Sequence, residues 1–198
     1  EDVPVELYKE FMTDIADEIE RENKIITDLL SLVKMDKTSA NLNIENCNLN
    51  ELIELILKRL RPIAKQRNID VLYESAREVF AEIDEVKLTL AISNLVENAI
   101  KYNNEYGYVK VSLDADHQFA TITVEDNGIG IPQEAQEHIF ERFYRVDKSH
   151  SREIGGTGLG LAIARNAILL HRGSIKIDSE EGQGTVFTVK IPIIYVSK

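Results

Sequence analysis

Asn94 and Asn98 stand four residues apart in the segment NLVENAIKY. Through residues 85–102, Leu88, Ala91, Ile92, Leu95, Val96 and Ala99 fall on one arc at about 100° per residue. Asn94, Glu97, Asn98 and Lys101 fall on the opposite arc, with Tyr102 at its edge. A face that meets only water normally uses Glu, Lys and Gln, because Asn costs about 0.7 kcal/mol against Ala in a helix. Two amide oxygens on one face therefore suggest ligands for a hard cation such as Mg²⁺ that keeps most of its waters. An amphipathic helix with incidental Asn is the plain alternative.

Three further segments carry chemistry. In VEDNGIGIP (residues 124–132), Asp126 ends a strand pattern and leads into Asn-Gly and Gly130, a turn whose backbone can approach a ligand closely. A buried carboxylate there can accept the exocyclic amine of adenine and would repel the carbonyl that guanine presents; an ordinary Asn-Gly turn is the alternative. In GGTGLGLAIARNAILLH (residues 155–171), glycines open an apolar-periodic helix, so backbone N–H groups and the positive helix end converge where phosphates could sit. The segment is neither a Walker loop, since no Gly-Lys-Ser/Thr follows, nor a dinucleotide fingerprint, since no G-x-G-x-x-G occurs. An isolated glycine-rich turn would look the same. Between them, IFERFYRVDKSHSREIGG (residues 139–156) offers Phe140 and Phe143 to anchor one end of a loop, with Arg145, Lys148 and Arg152 as positive charge along it. A loop of more than about ten residues inside a compact domain is usually functional. A lid over a nucleotide fits, and a surface loop with core-seeking aromatics is the alternative.

The elements that must position these groups follow from periodicity. From Val5 to Lys37 there is no Gly, and Pro4 sits where a helix can begin. Tyr8, Met12, Ile15, Ile19, Ile26, Leu29 and Val33 form a heptad seam broken only by Glu22, while Glu18, Glu20, Arg21 and Lys24 make a solvated outer face. The expectation is a bundle or dimer helix; an amphipathic helix docked on its own domain is the alternative. Residues 50–67 read as a helix that Pro62 should kink or divide. Residues 69–73 and 79–83 read as short strands, and 85–102 as a strong helix. Residues 108–113 and 120–125 form a hairpin turning at 114–117, 158–171 a helix, and 174–177 with 185–191 a second hairpin. The class expected is α+β: a two-layer α/β sandwich, a mixed sheet with helices on one face, preceded by one long helix. The division falls at 1–38 and 39–198.

Composition sets limits on function. Of 198 residues, 34 are acidic and 23 basic, a net charge of −11, so no nucleic-acid partner is expected. Hydrophobic residues at 43% and charged ones at 29% suit a soluble protein with a buried core. A single Cys47 excludes a disulfide framework or a multi-thiolate metal site. No apolar run approaches the ~20 residues that span a bilayer. A cytosolic location is therefore expected, with any membrane anchorage supplied by upstream segments.

Together and in order, the four segments resemble the catalytic ATP-binding domain of two-component sensor histidine kinases, of the Bergerat (GHKL-type) fold shared with gyrase-type ATPases. NLVENAIKY looks like that family's N box, DNGIG its first glycine box, FERFYR its F box and GTGLGL its second glycine box. The segment EFMTDIADEIERENKIITDLLSLVKMD is similar to the second helix of the family's dimerisation and histidine-phosphotransfer hairpin. The resemblance implies that Asn98, helped by Asn94, holds Mg²⁺, that Lys101 contacts phosphates, that Tyr102 packs on the adenine side and that Asp126 binds the adenine amine. Gly128 and Gly130 shape the base pocket, and Thr157, Gly158, Leu159 and Gly160 line the phosphates. Arg145 lies near the γ-phosphate, and Ile131, Phe143, Gly156 and Leu161 complete the nucleotide-binding set. Relatives that split water usually carry a Glu where Asn94 stands. An amide takes no proton, which favours phosphoryl transfer over hydrolysis, with Glu97 as the candidate base.

The family's phosphorylated His precedes an acidic residue and, five positions on, Pro. Five positions beyond His117, His138, His150 and His171 stand Ile122, Phe143, Gly155 and Lys176. None fits, so the chain is expected to be a fragment that binds ATP without phosphorylating itself. The resemblance further implies a response-regulator receiver domain as partner and a homodimer through the N-terminal helix and its missing companion. Two alternatives stand beside it: an anti-sigma-factor-type serine kinase, which needs no such helix, and a nucleotide-gated interaction module with negligible turnover.

Overall fold

The computed structural model describes residues 4–37, 42–146 and 156–196. Helix α1 (Val5–Lys37) begins directly after Pro4 and runs without a break. Strand β1 (Glu45–Asn48) leads into α2 (Leu49–Gln66), whose first amides are capped by the Asn48 side chain, which accepts from the N–H groups of Asn50 and Glu51. Strands β2 (Asp70–Ser75) and β3 (Phe80–Ile83) precede α3 (Glu85–Lys101), β4 (Tyr108–Ala115) and β5 (Phe119–Asp126). The short α4 (Gln133–Gln136), α5 (Gly160–Leu170), β6 (Ser174–Glu180) and β7 (Gly184–Pro192) complete the described elements.

β2, β4, β5, β7 and β6 lie side by side in that order; β2 pairs parallel with β4 and the other neighbours are antiparallel. β1 and β3 form a separate antiparallel ribbon. Alternation decides which face is covered. Val109, Val111 and Leu113 of β4, Ala120, Ile122 and Val124 of β5, and Phe187, Val189 and Ile191 of β7 are buried with the apolar stripes of α2, α3 and α5 in one core. Lys110, Ser112, Thr121, Thr123 and Glu125 take the other face. This is the expected two-layer sandwich. Asp126 continues the buried parity of β5, so its carboxylate points into the helical layer rather than to the open face.

Pro62 does not divide α2. It removes one backbone donor, but Lys58 and Pro62 lie on the exposed side, where water can take the freed Lys58 carbonyl. α3 is fixed at both ends. Asp84 caps its start, accepting from the Lys87 N–H at 3.0 Å, and the Asp84 N–H donates to His171 Nε2 at 2.9 Å. His171 Nδ1 faces the Ala167 carbonyl at 2.7 Å and is the donor there, so the buried ring is neutral; burial holds its pKa below the usual imidazole value. At the other end, Arg67 donates to the carbonyls of Ile100 and Lys101.

α1 packs its C-terminal half against α5, with Leu32 buried at 1% exposure. Tyr8, Met12, Ile15, Ile19, Ile26, Leu29 and Val33 remain exposed, Met12 to 59%. No helix among the described residues is long and apolar enough to cross a membrane. The division at 38/39 and the residues Lys148, His150 and Arg152 lie outside the described residues.

Candidate functional site

A cavity of about 570 Å³ opens between α3, the segment after β5, residues 144–146, the start of α5 and the inner side of α1. Asn94, Glu97, Asn98, Lys101, Tyr102, Asp126, Gly130, Ile131, Arg145, Gly156, Thr157, Gly158, Gly160 and Leu161 all border it. Three expected residues do not. Leu159 is fully buried in the core beneath the cavity. Gly128 serves Asp126 instead, its N–H donating to Oδ1 at 2.9 Å. Phe143 has a positive φ of 65° that turns its side chain outward, to 56% exposure. Phe140 anchors that segment beside the buried Ile139, edge-on to Phe187 at 6.3 Å with Arg165 over its ring.

The two ends of the cavity differ chemically. At one end Asp126 is 8% exposed, beside the apolar walls of Ile131, Ile139 and Phe187. Burial pushes its pKa up to about 6, against hydrogen bonds from the Gly128 and Thr185 N–H groups that favour the charged form. Its strand end is bolted to the segment after α3. Asn127 Oδ1 accepts the Tyr108 N–H at 2.7 Å, Asn104 Nδ2 donates to the Asn127 carbonyl at 3.0 Å, and Asn103 Nδ2 donates to the Tyr108 carbonyl at 2.9 Å.

The other end gathers amides and cations. Asn94 donates one amide hydrogen to the Leu90 carbonyl at 2.8 Å. Its Oδ1 faces the start of α5, where a Cβ on Gly160 would stand 2.6 Å from it. Lys101 Nζ lies 5.3 Å over the Tyr102 ring and against Gly156. Burial first, then the charges of Lys24 and Arg145, lower the Lys101 pKa to about 8. Gly158 turns the chain at φ +68°, with the Phe143 backbone 2.9 Å from where a Cβ would be; both favour glycine. The Thr157 hydroxyl accepts the Leu159 N–H at 3.2 Å, at the entrance to α5.

Among the contributors that sequence reasoning missed are Lys24 and Asp28 of α1. Lys24 pairs with Glu97 at 3.2 Å, and Asp28 accepts the Thr157 hydroxyl at 2.8 Å. Helical periodicity places them on a polar face without showing what that face docks on. Ile129, Pro132, Tyr144, Val146 and Glu181 also border the cavity; all but Glu181 lie in or beside segments already singled out. The arrangement suits a ligand with a flat apolar head that donates a hydrogen bond and an anionic tail.

Residues 83–194 match the family described as "Histidine kinase-, DNA gyrase B-, and HSP90-like ATPase". The sensor histidine kinase RppB of Synechocystis is 42% identical over 177 residues, covering 89% of this chain and 39% of that protein. The sensor histidine kinase WalK of Bacillus subtilis is 38% identical over 185 residues, covering 92% of this chain and 30% of that protein. The chain thus spans less than half the length of these relatives. Among solved structures, the catalytic domain of histidine kinase ThkA superposes with a TM-score of 0.69 at 32% identity, over 77% of this chain and 97% of that one. ThkA in complex with the response regulator TrrA gives 0.76 at 28% identity, over 98% of this chain and 53% of that one.

Proposed function

Because the chain belongs to the family of histidine kinase-, DNA gyrase B- and HSP90-like ATPases, we propose that it is the catalytic portion of a two-component sensor histidine kinase. It binds Mg²⁺ and ATP, and hands the γ-phosphoryl group to a histidine outside these 198 residues, for relay to a response-regulator aspartate. One observation carries the reading: a buried carboxylate and a cluster of amides, cations and helix-end N–H groups share one cavity.

At the closed end, the adenine amine donates to Asp126 while Tyr102, Gly130 and Ile131 hold the ring. The amine relieves the burial that raises the carboxylate's pKa. At the open end, Lys101, Arg145 and the backbone of residues 156–160 hold the phosphates. The donor chemistry fits Mg²⁺. Asn98 and Asn94 offer neutral amide oxygens, and the described residues contain no His, Cys, Asp and Glu cluster that would capture a metal without phosphate. When bound, the ion neutralises phosphate charge. The reaction breaks the β–γ P–O bond and makes a P–N bond to the acceptor imidazole; this chain's part is positioning. Glu97 can serve as a base only once released from Lys24. The seam of α1 meets a second copy and the companion helix of its own hairpin, and a receiver domain is the partner, as TrrA is for ThkA.

Calorimetry with ATP and GTP, each with and without Mg²⁺, tests the reading. ATP should bind more tightly than GTP. Asp126→Asn should weaken ATP by about 1.5–3 kcal/mol, the value of a hydrogen bond to a charged group. Affinity should fall as pH drops below about 6, where Asp126 takes up a proton. Equal ATP and GTP affinities would overturn the assignment.

A further inference from the structure

Asp28 reaches the phosphate end of the cavity from outside the sandwich. Its Oδ2 takes the hydrogen of the Thr157 hydroxyl at 2.8 Å, and that hydroxyl oxygen accepts the Leu159 N–H at 3.2 Å. The carboxylate thus stands one hydroxyl away from the positive end of α5, on the wall formed by Gly156, Gly158 and Gly160. Lys24, one helical turn earlier, fastens the same face of α1 to Glu97 at 3.2 Å.

We propose that Asp28 is a resident anion of the phosphate end, so that docking of α1 through Asp28 and binding of a polyphosphate oppose one another. The inference rests on the nucleotide reading above. With Asp28 seated, an arriving phosphate meets a like charge and a hydroxyl whose hydrogen is already committed. Burial raises the pKa of Asp28 despite the Thr157 bond and the charge of Lys24, and Glu97 adds to the rise, so the carboxylate is incompletely compensated where it sits. A triphosphate that brings its own cation is the better-matched occupant. Linkage makes the effect mutual: the factor by which docked α1 weakens nucleotide binding is the factor by which nucleotide weakens α1 docking. The helix that leads to the phosphoacceptor region thereby responds to whether the site is loaded.

Asp28→Asn in the full chain is the test, since the amide oxygen still accepts from Thr157 and only the charge is lost. Calorimetry is run with ATP, ADP, AMP and adenosine at one salt concentration with Mg²⁺. ATP should bind about tenfold more tightly than to the unaltered chain, within the usual range of coupling between sites. The gain should shrink through ADP and AMP and vanish for adenosine. Asp28→Ala, which also frees the Thr157 hydroxyl, should gain at least as much. Unchanged or weaker ATP binding by both variants overturns the proposal, and so does an equal gain for adenosine. If no chain binds ATP or adenosine, the nucleotide reading falls and takes this inference with it.

Discussion

α3 and α1 carry the same kind of sequence signal and meet opposite fates. Both are amphipathic, with apolar side chains repeating every three or four residues. The stripe of α3 is wholly inside, Ala99 being its most exposed member at 3%, because the sheet and two helices close over it. Among the described residues the seam of α1 stays exposed, Ile19 to 54%. Periodicity thus identifies the face that seeks a partner, and only the rest of the chain decides whether that partner is present. The polar faces invert the contrast. That of α3 stays open as a cavity wall, whereas that of α1 is tied down at Lys24 and Asp28.

The largest test of this contrast is paired. Ile92→Ala in α3 should cost about 2–5 kcal/mol in denaturant unfolding, a cavity in a closed core. Ile19→Ala in α1 should stay within about 0.5 kcal/mol; similar costs would mean that the seam is covered after all. A smaller effect concerns how α3 is held. Burial sets the folded pKa of His171 below its ordinary 6.5, so the unfolded chain takes up the proton first. That contribution to stability is complete above pH 6.5 and is lost as pH falls through the folded value. Asp126 titrates in the opposite sense, its folded pKa being raised to about 6. In an Asp126→Asn background the melting temperature should therefore fall between pH 7.5 and pH 5.5, and His171→Asn should flatten that slope. The last effect is on assembly. Deleting residues 1–36, which also uncovers the surface of α5 that Leu32 buries, should shift sedimentation toward monomer; an unaltered mass class would argue against α1 as a dimer helix.

Much of this was legible in the sequence because it is local. The two faces of α3, the hairpins β4–β5 and β6–β7, and the glycine turn before α5 each follow from spacing and turn chemistry. What was not legible depends on distant contacts. β1, with the sequence ENCN, has no apolar alternation and exists through its pairing with β3, Glu45 against Ile83 and Asn48 against Phe80. α5 starts at Gly160 rather than 158 because Gly158 takes a positive φ that no right-handed helix contains. Phe143 reads as an anchor by type, yet its own left-handed backbone points it outward. Lys24 reads as solvent-facing and nothing in the spacing singles out Asp28, and docking against α5 made both part of the cavity.

The Phe143 N–H donates to the Gly158 carbonyl at 2.9 Å. That clasp fastens two described segments to each other, and Tyr144 and Arg145 on one side and Gly156 and Thr157 on the other all border the cavity. A side chain at Gly158 would press on the Phe143 backbone at that very point. One substitution there would therefore disturb two stretches of the cavity wall together.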